Sequence, residues 1–207
     1  MKLAKFFKTI VISICLVAIL LISGIFLTAC NDEPDKKKEQ EQTKDAIISF
    51  LENAKSIKNY TSISEYSNNP TYSYYADVDK IKIEYNGTTN YGIIEDRCMY
   101  KISQDDDLLW HKNIDVKNND VYDLSTPEER ISDLISRINA TSWNDYDSKT
   151  NTLICRLDDG HATAKIDSDT VIVNLIMNTG STTTFTIKEV GSTTVTLPED
   201  IIDDTLN

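Results

Sequence analysis

Histidine is nearly absent from this chain. Its 207 residues include two, His111 and His161, and neither has a second His or Cys at the spacing of a zinc site. His161 follows Asp158-Asp159-Gly160 and reads as an exposed turn residue. His111 alternates with Trp110 and is expected on the solvated side of a strand. Catalytic signatures are missing too: the sequence holds no G-x-S-x-G elbow, phosphate loop or dinucleotide fingerprint. The run Asp105-Asp106-Asp107 lacks the Gly and Glu of a calcium loop and reads as a solvated turn. The expectation is a protein with no metal, no cofactor and no enzymatic activity. Positive charge is also short. With 21 Lys and Arg against 33 Asp and Glu, the net charge is −12, which repels nucleic acid at long range.

Apolar runs of membrane length are lacking except in one place. Lys2, Lys5 and Lys8 are followed by an uncharged run from Thr9 to Asn31, long enough to span a bilayer but also ordered like a secretory signal. Leu27-Thr28-Ala29-Cys30 resembles the lipobox of bacterial lipoproteins. That resemblance implies a signal peptide over 1–29, cleaved to leave Cys30 as a lipidated N-terminus carrying thioether-linked diacylglycerol. Two or more acyl chains, at about 0.8 kcal/mol per buried methylene, make a stable anchor. The polar part then sits on the outer face of the cell membrane. Losing three of the 21 cations with the signal leaves 18 against 33 acids, a net charge of −15.

From Asn31 to Lys44 no aliphatic or aromatic residue occurs. Residues 30–44 are therefore expected to be the lipidated cysteine and a flexible charged tether, of r.m.s. reach roughly 20 Å. One domain, 45–207, follows. Ala46, Ile47, Phe50, Leu51, Ala54 and Ile57 form a helical stripe after Asp45 as N-cap. A second helix is marked by Thr126 as N-cap, Pro127 at the first helical position and Glu129 three residues after the cap. Its apolar face carries Ile131, Leu134, Ile135 and Ile138.

Almost all else reads as strand. Ile81, Ile83 and Tyr85 alternate into Asn86-Gly87, a strong hairpin signal. Further strands are expected over 60–66, 71–78, 91–103, 108–114, 152–157, 162–167, 170–177, 182–188 and 193–197. Short turns make sequential strands antiparallel neighbours. Alternation assigns to one dry face Ile81, Ile83, Tyr85, Ile94, Cys98, Tyr100, Ile102, Leu108, Trp110, Ile114, Leu153, Cys155 and Leu157. The same face is expected to hold Ala162, Ala164, Ile166, Val171, Val173, Leu175, Phe185, Ile187, Val195 and Leu197. On the wet face, Ile93, Met99, Ile154, Ile172 and Ile176 offer a seam for a partner or a second copy. Cys98 and Cys155, the cysteines after Cys30, are placed two strands apart with 108–114 between them. At about 4.8 Å per spacing they are too far apart to bridge.

This layout is similar to the LolA-type half-barrel lipoproteins, and the strings "DLLWHKN" (107–113) and "FTIKEVGSTTVTLPEDI" (185–201) echo that family. The resemblance spans 45–207. It implies an α+β fold: a curved antiparallel half-barrel meander covered on its concave face by two or three helices. The cavity so enclosed receives a lipid or other apolar ligand, or the fold docks onto an envelope protein partner. Tyr85, Tyr100, Trp110, Ala162, Ala164 and Phe185 are the cavity candidates.

Overall fold

The computed structural model describes residues 32–95, 98–104, 106, 108–114 and 125–206. The signal segment and Cys30 lie outside them. The chain divides into two compact units, Met1–Asp35 and Lys36–Asn207, and the second contains the sheet. Among the described residues the fold is α+β, with two α-helices and one open twelve-stranded mixed sheet.

The first helix, α1, runs Asp32–Ile57, so the segment expected to be a coiled tether is helical. Polarity alone suggested coil, yet Lys, Glu and Gln are strong helix formers, and the helix has something to hold. Lys36 Nζ donates to Asp145 Oδ1 (3.1 Å), Gln40 Nε2 to the Trp143 carbonyl (2.7 Å), and the Thr43 and Tyr146 hydroxyls meet at 3.1 Å. These positions continue into Ile47, Leu51 and Ala54, all fully buried. One stripe at helical spacing therefore serves as polar contact first and core second.

The second helix, α2, spans Pro127–Ala140 with the full capping box. Thr126 Oγ1 accepts from the Glu129 amide (3.2 Å) while Glu129 Oε2 accepts from the Thr126 amide (3.0 Å). Ile131, Ile135 and Ile138 are buried against the sheet.

Two meanders make the sheet. The first comprises β1 (Asn59–Tyr66), β2 (Asn69–Asp77), β3 (Lys80–Tyr85), β4 (Thr88–Glu95), β5 (Cys98–Gln104) and β6 (Trp110–Ile114). After α2 comes the second: β7 (Asp145–Asp147), β8 (Thr152–Leu157), β9 (Gly160–Asp167), β10 (Thr170–Met177) and β11 (Thr182–Lys188). Pairing of β11 with β1 joins them, and β12 (Ile201–Asp203) adds to β6 in parallel, giving the order β12-β6-β5-β4-β3-β2-β1-β11-β10-β9-β8-β7. The sheet is therefore mixed rather than wholly antiparallel. Asn86 and Gly87, with φ of 49° and 78°, form the two-residue β3–β4 turn, the left-handed pair that a type I′ hairpin requires.

Strand order and register correct four expectations. First, 91–103 is two strands, and Ile94 opposes Met99 while Tyr91 opposes Ile102. Opposed positions sum to an odd number there, so even residues change face between β4 and β5. Tyr100 and Trp110 consequently lie on the face opposite the helices, where Lys112 Nζ sits 4.4 Å from the Tyr100 ring centroid and Trp110 meets Tyr91 edge-on. His111 is on the helix-side face. Second, Leu108 belongs to no strand and is 71 % exposed. Third, β5 and β8 are separated by eight spacings in the sheet, not two; Cys155 is a buried free thiol. Fourth, 193–197 is extended but unpaired.

That last segment is part of a strap, residues 189–200, leading from β11 to β12. Seven spacings of about 4.8 Å separate β11 from β12, roughly 34 Å, and twelve extended residues reach about 40 Å. The strap crosses the face away from the helices. Thr61 Oγ1 donates to Glu189 Oε2 (2.7 Å) and lies 3.0 Å from Thr193 Oγ1. Asn59 clamps Thr193 from both sides, its Nδ2 donating to the carbonyl and its Oδ1 accepting from the amide, each at 2.8 Å. Further on, the Val195 amide donates to Asp77 Oδ2 (3.2 Å). Thr193 and Val195 are buried and Thr194 and Thr196 exposed. Their alternation is that of a chain lying on a surface.

Candidate functional site

On the helix side, the tyrosines of β1 to β3 form a graded series from core to solvent. Tyr60 and Tyr74 are fully buried and stacked at 6.0 Å. Their hydroxyls donate to the Pro127 carbonyl (2.8 Å) and the Ser125 carbonyl (2.9 Å), so both hold the start of α2 against the sheet. Burial pushes both hydroxyls well above the usual tyrosine range. A buried phenol that already donates has no solvent to stabilise its anion.

Arg130, in the first turn of α2, marks the boundary of this core. Its Cζ lies 4.9 Å from the Tyr72 ring centroid and 4.7 Å from that of Tyr74. Its Nε donates to Ser62 Oγ (3.3 Å). The guanidinium is thus half-buried between two rings, where cation–π attraction replaces part of its hydration.

Tyr72 and Tyr85 are cross-strand partners with ring centroids 6.3 Å apart. With Tyr66 and Asn69 they line a recess of about 250 Å3 that is open to solvent. The same end of this face exposes Leu157 and Leu175, and Tyr66 is 37 % exposed. Register puts Leu175 opposite Ala162 and Thr183, and Thr183 opposite Tyr66, so the exposed groups share one face and one end.

The six cavity candidates separate accordingly. Tyr85 lines the recess. Phe185 and Ala162 lie half-buried on the same face, whereas Ala164 is fully buried among Leu153 and Val171 in the core. Tyr100 and Trp110 are across the sheet. Tyr66, Asn69, Tyr72 and Arg130 went unread in the sequence. A Tyr-rich stretch with uncertain register hid the first three, and Arg130 falls just before the Ile131 stripe that had marked the helix.

Under the helices the space is taken by side chains: Ile47, Leu51, Ala54 and Ile131 pack on Ile81, Ile83, Leu153 and Val171, every one 0–1 % exposed. Elsewhere, His111 Nδ1 and Asp204 Oδ2 are 2.7 Å apart, and Lys112 pairs with Glu95 (2.9 Å) and Asp203 (3.6 Å), fastening β12 and the 3-10 turn after it. No group of three or more potential metal ligands, and no helix long and apolar enough to cross a membrane, occurs among the described residues. Comparison with family models, curated proteins and solved structures found no match.

Proposed function

We propose that this is a lipid-anchored extracytoplasmic binding protein without catalytic activity, held at the outer face of the membrane through Cys30. The lipobox-like Leu27–Cys30 string after an apolar run supports the anchor. A half-barrel of the LolA type is the architecture this reading favours for the open sheet. The bound molecule is taken at the tyrosine end of the helix-side face, not beneath the helices. The observation that carries this is the recess of about 250 Å3 at Tyr66, Asn69, Tyr72 and Tyr85 beside a core already filled by Ile47, Leu51 and Ile131. Drug-sized ligands occupy sites of roughly 300–1,000 Å3. A single ring or short apolar group suits the recess, and a two-chain lipid does not.

The test is native mass spectrometry of the full chain released from detergent after incubation with phospholipid. No stoichiometric phospholipid is expected to remain. Retention of one lipid per chain restores the enclosed-cavity reading. Protein docking is the second reading, favoured by Leu157, Leu175 and Tyr66, which lie exposed on one face. It requires Leu175→Glu to abolish capture of an envelope protein that wild-type captures.

A further inference from the structure

Acids outnumber bases 33 to 21 in this chain, so an arginine without a carboxylate calls for explanation. Arg137 pairs with Asp133 and Arg156 with Asp145, at 2.8 and 2.7 Å. Arg130 forms no ion pair among the described residues. Its Nε is used by Ser62 and its plane is fixed by Tyr72 and Tyr74, which leaves the two terminal amino groups as an oriented fork. Such a fork matches a carboxylate in a way a lysine does not. Tyr72 is shared: it lies under Arg130 and also walls the recess.

We propose that the recess takes a small carboxylate whose apolar body lies among Tyr66, Tyr72 and Tyr85 and whose charge is met by Arg130. The inference rests on the recess being the binding site, and names the ligand class. Holding the guanidinium half-buried costs hydration in the empty protein, and a carboxylate arriving there replaces it. The ring faces supply contact area for the rest of the molecule. An acidic surface would repel anions in general, so Arg130, which forms no ion pair among the described residues, is what admits one here.

The probes are benzoate and its neutral isostere benzamide, titrated into the full chain in detergent and followed through the Arg130 Nε–H and tyrosine ring resonances. Benzoate is expected to bind about tenfold more tightly than benzamide, the worth of a hydrogen bond to a charged group, with the preference shrinking as chloride is added. Arg130→Lys should bring benzoate down to the benzamide level while leaving benzamide unchanged, which shows that the recess is intact. Equal binding of the two probes by wild-type overturns the anion inference and leaves the recess standing. Saturation by neither probe overturns both. If Arg130→Lys unfolds, the wild-type preference and its loss in Tyr72→Leu decide: a preference that survives Tyr72→Leu undiminished refutes the site.

Discussion

Asn59 is the best single place to test the strap. Its side chain makes three hydrogen bonds: Nδ2 to the Thr193 carbonyl (2.8 Å) and to Asp77 Oδ1 (3.1 Å), and Oδ1 from the Thr193 amide (2.8 Å). Thr193 is buried, so Asn59→Ala strands an amide and a carbonyl that water reaches poorly. At about 0.5–1.5 kcal/mol per bond, with the desolvation of the orphaned groups tending to raise the figure, the loss should be about 2–4 kcal/mol. For a domain of this size that lowers Tm by about 5–12 °C. Asn59→Asp keeps the acceptor, loses both donors and faces Asp77, and should be at least as damaging. Urea unfolding measures the global cost, and amide hydrogen exchange reads Thr193 directly. The Gly191 amide, which bonds the Asn59 backbone carbonyl at 2.8 Å, should stay protected because the substitution leaves that bond alone. A loss below about 0.5 kcal/mol, with Thr193 still protected, would mean the strap is held by something other than this clamp.

Four further outcomes are expected. Cys30→Ser should abolish fatty-acid labelling and leave an unprocessed precursor; persistent labelling refutes the lipoprotein reading. Gly160→Ala should destabilise by about 1–3 kcal/mol, since a Cβ there runs into the Ile176 carbonyl oxygen; unchanged urea unfolding counts against the β9–β10 register. Tyr60 and Tyr74 are raised in the folded chain, so they favour folding below the unfolded tyrosine value of about 10 and withdraw that support as pH rises above it. Stability should fall in alkali, less steeply in Tyr60→Phe, and an identical slope in the two proteins contradicts the assignment. Cys98 and Cys155 should both titrate as thiols in denatured, unreduced protein, because eight strand spacings separate β5 from β8. A missing pair of thiols would overturn that strand order.

What was legible in the sequence was whatever depends on a few adjacent residues. Thr126, Pro127 and Glu129 fix the start of α2 wherever the helix packs, and Asn86-Gly87 fixes a turn whatever the sheet does. Face assignment needs the parity of every connection as well, and reading 91–103 as one strand rather than as β4 and β5 is enough to put Tyr100 and Trp110 on the wrong side. Alternation over 193–197 reads as a strand, but burial of Thr193 and Val195 between exposed Thr194 and Thr196 comes from a strap without ladder bonds, which alternation does not reveal. Asp32 to Lys44 shows the opposite failure: its helix formers were outweighed by its lack of apolar residues, because the contacts that hold it, from Lys36, Gln40 and Thr43, are polar. Of the recess lining, Tyr85 is legible in the sequence, whereas the placing of Arg130 over Tyr72 and Tyr74 is a fact about the folded chain.

The strand that starts the sheet is in its middle, and this sets a timetable. Chain emerging from the ribosome or across a membrane delivers β1 to β6 first, as a six-stranded piece with a bare edge at each end. The edge at β1 stays open until β11 arrives, and the edge at β6 until β12, the last strand among the described residues. Neither half-finished border can be closed by neighbours in sequence, so completion waits on contacts more than ninety residues apart, such as Ile201 with Trp110, a topology that slows folding. During that interval the open edges are templates for pairing with another copy. Deleting β12 alone, residues 201–203, would return the sheet to that vulnerable state at the β6 border, far out of proportion to the mass removed.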